Sequence, residues 1–70
     1  MTSREIVARN LRKFRQAKGL SQEEVAHRAE INRNYVGMLE SGQHAATTDM
    51  LDKLAEALEV YAGDFFNRNS

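Results

Sequence analysis

Residues 20–42 read LSQEEVAHRAEINRNYVGMLESG, and they contain two short helix patterns separated by only two or three residues. Ser21 and Glu24 have the spacing of a capping box, which predicts that a helix of about nine residues begins here. Asn32 is a capping residue for a second helix, and Gly42 suits the C-terminal end of that helix. So short a connection predicts a helix-turn-helix rather than a parallel hairpin.

The residues on either side predict one helix before this stretch and one after it. Thr2 with Glu5 fits another capping box, and apolar residues at helical spacing follow it, namely Val7, Leu11 and Phe14. Thr47 caps the later helix, which has an apolar stripe formed by Leu51, Leu54, Ala55 and Leu58. A last helical turn or two is expected between residues 61 and 67. Because proline and strand-like alternation are absent, we predict an all-α fold and a single domain over residues 1–70.

The charges of this chain are balanced in number but not in position. Ten Lys and Arg oppose ten Asp and Glu, so bulk charge cannot attract the chain to a polyanion. Residues 1–28 hold seven bases and three acids, whereas residues 29–70 hold three bases and seven acids. This division allows a domain with one basic and one acidic side, although solvated helix faces that differ in sign explain it equally well.

Several classes of protein are excluded or disfavoured by what the sequence lacks. Without cysteine there is neither a disulfide scaffold nor a thiolate metal site. No apolar run approaches the roughly 18 residues of a membrane span, so we expect no membrane association and a cytoplasmic location. His27 and His44 have no common ligand spacing, so no metal is expected. The catalytic and phosphate-loop motifs are missing, so we expect no enzyme activity, no cofactor and no small-molecule ligand.

The second helix of the central stretch has two chemically different faces. The side predicted to pack inward carries Tyr35, Val36, Leu39 and Glu40. The side predicted to face outward carries Arg33, Asn34, Gly37, Met38 and Ser41. In a major groove, arginine can bind guanine, asparagine can bind adenine, and methionine can contact a thymine methyl group. A glycine inside a helix costs about 1 kcal/mol, and either close approach to nucleic acid or clearance from a neighbouring helix would explain Gly37.

From Leu11 to Leu58 the chain resembles the Cro and phage-repressor type of helix-turn-helix domain, also called the xenobiotic-response-element family. The segments that carry the resemblance most specifically are GLSQE at 19–23 and LESG at 39–42. The resemblance implies a compact five-helix bundle of the phage-repressor type, with helices 2 and 3 as the helix-turn-helix. It also implies a transcriptional regulator that binds double-stranded DNA, with helix 2 across the backbone and helix 3 in the major groove.

The resemblance further implies a role for individual side chains. By position, Arg33, Asn34 and Met38 face the bases. The positions expected to contact the DNA backbone are Gln22, Tyr35, Ser41, Gln43 and His44. Here the chain departs from the family, since the loop after helix 3 often carries Lys or Arg and this loop does not. Fewer cations predict a smaller release of counterions and weaker nonspecific binding.

Two further family features concern stability. The family pairs an arginine late in helix 1 with a glutamate late in helix 3, and Arg15 and Glu40 occupy those positions. Their helical spacing agrees, because both lie on inward faces where an unpaired charge is costly, so we expect a structural ion pair. Glycine is frequent in the family where this chain has Glu30 and Glu59. A left-handed residue with a side chain costs about 1–2 kcal/mol, so these helix ends are expected to be strained or differently shaped.

Specific binding by such a small domain is expected to need two copies. One helix reads only a few base pairs, so operators of this type are pseudo-palindromic, with half-sites about 34 Å apart, and the protein binds as a homodimer. The C-terminal region holds more apolar side chains than a small core can bury. We therefore predict a dimer surface formed by Met50, Tyr61, Phe65 and Phe66, while the alternative is that these residues cap the core of the monomer.

Two classes of function are compatible with the sequence. The Arg-x-Tyr-Val start of helix 3 is similar to that of restriction-modification controller proteins, and small phage-type repressors share the domain. The alternative is a helix-turn-helix protein-interaction module, or an antitoxin, without a direct operator-reading role. The zero net charge favours this alternative.

Overall fold

A computed structural model describes residues 1–68 as a set of short helices, and positions 69 and 70 of the predicted domain lie outside the described residues. The α-helices are α1 (Ser3–Ala17), α2 (Gln22–Ala29), α3 (Arg33–Glu40) and α4 (Thr48–Leu58), and a 3₁₀ helix (Ala62–Phe66) follows. No strand occurs in the described part of the chain. The all-α prediction is confirmed. The fifth helix differs from an α-helix because a segment of only five residues suits the tighter 3₁₀ geometry.

The α-helices begin where the capping residues predict. Thr2 and Ser21 each accept a hydrogen bond from the backbone N–H three residues later, and the glutamate at that position accepts the N–H of the capping residue in return. Asn32 and Thr47 cap α3 and α4 through their side-chain oxygens. These local bonds fix the short α2–α3 connection of the helix-turn-helix.

Two helix ends carry backbone strain. Glu30 after α2 and Glu59 after α4 have φ angles of 56° and 58°, in the left-handed region where a Cβ costs about 1–2 kcal/mol. The ammonium group of Lys18, at the end of α1, lies 2.5 Å from the carboxylate of Glu59. Gly42 closes α3 at a φ of 77°, which glycine adopts without that cost.

The core lies between all of these helices. Its buried members are Val7, Leu11, Leu20, Val25, Ala26, Ala29, Val36, Leu39, Leu51, Leu54, Ala55, Leu58 and Phe65. α2 and α3 pack on each other, α1 packs on α3, and α4 packs on α2. Within residues 1–68, none of the helices combines the length and apolar character that a bilayer crossing requires.

The prediction that Phe65 lies on a dimer surface is wrong. Its side chain has 0% exposure, and its ring centroid lies 5.7 Å from that of Phe14. The buried Asn10 of α1 holds this segment, because its amide nitrogen donates to the carbonyl oxygens of Phe65 and Asn67 at 2.7 and 2.9 Å. Phe65 therefore completes the core of the monomer, while the adjacent Phe66 remains exposed.

Candidate nucleic-acid interface

The α3 helix has the two faces that its sequence predicts. Val36 and Leu39 are 0% and 1% exposed, so they fix the helix on the core. Arg33 and Asn34 are exposed on the other side, and Met38 is 38% exposed. One helix therefore presents a cationic, an amide and an apolar side chain to solvent.

An open depression runs along this exposed face. It is lined by Gln22, Arg33, Asn34, Gly37, Met38, Ser41 and Gln43. A Cβ on Gly37 would lie 3.6 Å from Oε1 of Gln22, which is an ordinary van der Waals distance. Clearance from α2 therefore does not require glycine at this position.

The guanidinium of Arg33 has an acidic neighbour on α2. Its Nη1 lies 3.7 Å from Oε2 of Glu23, and the two side chains are 66% and 77% exposed. An ion pair this exposed contributes at most about 1 kcal/mol. Arg33 can therefore exchange this partner for another acceptor at small cost.

The expected ion pair between Arg15 and Glu40 is present beneath this face. Arg15 donates from Nε and Nη2 to the two carboxylate oxygens of Glu40 at 2.7 and 3.0 Å, and from Nη1 to the carbonyl of Leu20 at 2.9 Å. Only 14% of the arginine side chain and 4% of the glutamate side chain are exposed. Hydrogen bonding to Glu40 raises the pKa of Arg15 above its ordinary value. The pair joins α1 to the C-terminal end of α3.

The same carboxylate orients the first residue of α2. Gln22 donates from Nε2 to Oε1 of Glu40 at 3.2 Å, and this bond uses one of the two hydrogens of its amide group. Arg12 adds a bond from Nη2 to the backbone carbonyl of Glu40 at 2.7 Å. Gln22 and α3 are thus held in fixed positions by one buried acid.

In the loop after α3, the hydroxyl of Ser41 already has two hydrogen-bond partners. The hydroxyl of Ser41 donates to the carbonyl of Met38 at 2.7 Å and accepts the N–H of Gln43 at 3.3 Å. The side chains of Gln43 and His44 are exposed, and Tyr35 is half-buried at the edge of α3. A phosphate contact by Ser41 requires its hydroxyl to leave the Met38 carbonyl.

The sequence patterns do not predict one charged residue that lies beside this loop. Arg4 of α1 donates from Nη1 to the carbonyl of Gln43 at 3.4 Å. The two residues are 39 positions apart, so no local spacing signals the contact.

The C-terminal region retains part of the predicted apolar surface. Tyr61 is 83% exposed and Phe66 is 47% exposed, whereas Met50 is half-buried against the core. With Phe65 inside the molecule, this surface is smaller than the sequence predicts.

Comparison with known proteins finds relatives that match most of the chain. Residues 11–65 match the family model described as helix-turn-helix. The chain is 40% identical over 60 residues to an HTH-type transcriptional regulator, y4dJ, of Sinorhizobium fredii, which covers 86% of this chain and 78% of that protein. It is 38% identical over 60 residues to the control protein C.SmaI of Serratia marcescens, covering 86% and 71%. The crystal structure of the restriction-modification controller protein C.AhdI from Aeromonas hydrophila is similar, with a TM-score of 0.86, 38% identity, and coverage of 90% of this chain and 96% of that chain.

Proposed function

This chain belongs to the helix-turn-helix family of DNA-binding transcriptional regulators, and from that premise we propose that it reads a specific operator with α3 in the major groove. The exposed face of α3 supports this assignment. Arg33 has the donors for the two acceptors of guanine, Asn34 has the donor and acceptor for adenine, and Met38 is an apolar partner for a thymine methyl group. Gly37 leaves room for the base edges between them.

We assign the neighbouring polar residues to the DNA backbone. Gln22 has a second amide hydrogen besides the one bonded to Glu40, and Gln43, His44 and Tyr35 flank the same depression or the loop at its end. Ser41 joins them once its hydroxyl leaves the Met38 carbonyl. Such contacts position a protein on the duplex and carry no sequence information directly.

We further propose that the protein binds as a homodimer. One α3 helix contacts only a few base pairs, and a twofold dimer places two such helices about 34 Å apart on a pseudo-palindromic operator. The exposed Tyr61 and Phe66, with Met50 beside them, are the proposed contact between the two copies. Phe65 lies in the core and is not part of the proposed contact.

The particular role that the relatives favour is control of a restriction-modification operon. Two of them are a control protein and a restriction-modification controller protein, and the latter matches 90% of this chain. A neighbouring methyltransferase gene would support this role, and a toxin gene would indicate an antitoxin instead. We propose that the protein has no catalytic activity and that it is located in the cytoplasm, together with its operator DNA.

Selection of bound duplexes from a random pool tests this function. We expect enriched duplexes with inverted half-sites, and Arg33→Ala should lose the preference at one base position by about 5–150-fold, equivalent to about 1–3 kcal/mol. Arg28→Ala, an equal change of charge on an exposed part of α2 outside this depression, is the matched control. A variant at position 33 that keeps every base preference would contradict the assignment.

A salt titration separates DNA binding from protein docking. Affinity for a duplex should fall steeply as salt rises, whereas apolar docking responds little. Failure to enrich any duplex would favour the protein-interaction module, which the zero net charge of the chain supports.

A further inference from the structure

The proposed DNA-binding face is short of positive charge. Arg33 lies 3.7 Å from the carboxylate of Glu23, and the loop 41–46 reads SGQHAA, without Lys or Arg. Affinity for DNA depends strongly on Lys and Arg side chains that replace the counterions around the phosphates. Any cationic phosphate contact beside this loop must therefore come from another part of the fold.

The first turn of α1 lies directly against this loop. The guanidinium of Arg4 donates to the backbone carbonyl of Gln43 at 3.4 Å. A Cβ on Gly42 would lie 3.7 Å from Cγ of Glu5 and 3.9 Å from Cβ of Ala8, both in α1. The packing of Gly42 on α1 thus brings Arg4 to the end of the depression where the loop begins.

The charge of Arg4 is available to an external anion. Its side chain is exposed, and no acidic group lies within 4 Å of it in the described part of the chain. The neighbouring Glu5 carboxylate already accepts the N–H of Thr2 at 2.8 Å. The bond to Gln43 uses only one of several N–H donors, so the rest of the planar guanidinium can bind two phosphate oxygens at once.

We propose that Arg4 binds the DNA phosphate next to the loop 41–46 and so supplies from α1 the positive charge that the loop lacks. This inference rests on the proposed DNA binding. Because a phosphate contact carries no base information, Arg4 adds affinity and fixes the position of the protein without changing its sequence preference.

Arg4→Gln tests the proposal, with Lys13→Gln as the matched control. Lys13 is an exposed base nine residues later in the same helix, which places it on the opposite side of α1 at about 3.6 residues per turn. The dissociation constant is measured over a salt series for a duplex enriched from the random pool and for a duplex of unrelated sequence.

We expect Arg4→Gln to reduce the slope of log K against log salt by about 0.9 for each half-site, or about 1.8 for a dimer. Both duplexes should lose affinity by the same factor. Lys13→Gln should leave the slope unchanged, and Arg4→Lys, which keeps the charge, should retain most of it.

Three results distinguish the possibilities. A wild-type slope in Arg4→Gln overturns the proposal and leaves DNA binding intact. Loss of preference at a single base position also overturns it, because that result means base contact. If wild-type protein enriches no duplex, the proposed function fails instead. Circular dichroism checks that the variants remain folded. If Arg4→Gln unfolds, the slope of Arg4→Ala, which also removes the charge, decides the matter: a reduced slope supports the proposal and a wild-type slope overturns it.

Discussion

Replacement of Glu40 by glutamine removes one charge of the buried ion pair but keeps the size and shape of the side chain. Glutamine keeps one acceptor oxygen, but it removes the charge and turns an NH₂ group toward Arg15, which is only 14% exposed. Breaking a buried pair from one side costs about 3–5 kcal/mol. We expect the lower end, about 3 kcal/mol, because Arg15 keeps its bond to the Leu20 carbonyl at 2.9 Å. A domain of 70 residues has a total stability of only about 3.5–10 kcal/mol.

Urea unfolding followed by far-ultraviolet circular dichroism at neutral pH measures this loss. With a slope of about 1–2 kcal/mol/M, the midpoint should fall by about 1.5–3 M. Glu56→Gln, at an exposed position of α4, is the control and should change stability by no more than about 0.5 kcal/mol. The double variant Arg15→Gln with Glu40→Gln should cost less than the two single losses combined, because no buried charge is left without a partner. If Glu40→Gln shifts the midpoint no more than the control does, the reasoning is refuted.

Further predictions concern strain, pH and assembly. Glu30→Gly should stabilise the domain by about 1 kcal/mol, because glycine adopts the left-handed φ of 56° without a Cβ penalty. The thermal midpoint should therefore rise by about 4–8 °C. A lower midpoint would show that this helix end is not strained. Hydrogen bonding to Lys18 holds the pKa of Glu59 below its ordinary value, so the stability that this pair contributes is complete above the unfolded pKa of about 4.3 and is lost as pH falls through the folded pKa. Wild type and Lys18→Gln should therefore converge in stability in acid, and a constant difference would contradict the assignment. Tyr61→Lys should weaken dimerisation in analytical ultracentrifugation without lowering helix content, because it places like charges at the proposed contact, and an unchanged association constant would exclude this surface.

The parts of the structure that depend on nearby residues could be predicted from the sequence. Ser21, Asn32 and Thr47 cap their helices through bonds to residues two or three positions away. The faces of α3 follow from the 3.6-residue period that buries Val36 and Leu39. These features fix the helix-turn-helix and which side of α3 is exposed.

The parts that depend on distant residues could not be predicted. Phe65 and Phe66 are adjacent and equally apolar, so composition assigns both to one surface. Their opposite environments depend on Asn10, which binds the carbonyl of Phe65 from 55 positions away. Arg4 reaches Gln43 across 39 positions, and only the packing of α1 on the loop reveals it. Sequence patterns report spacing along one helix, whereas these contacts depend on how the helices pack in three dimensions.

The bonds from Asn10 to Phe65 and Asn67 also imply an order in which the core is completed during synthesis. A growing chain that has emerged from the ribosome only as far as α4 possesses both helices of the motif but lacks the aromatic ring that fills the space beside α1. The bonds that Asn10 donates to the carbonyls of Phe65 and Asn67 can form only after those two residues have also emerged. Chains that end before Phe65 therefore lack the ring that completes this core.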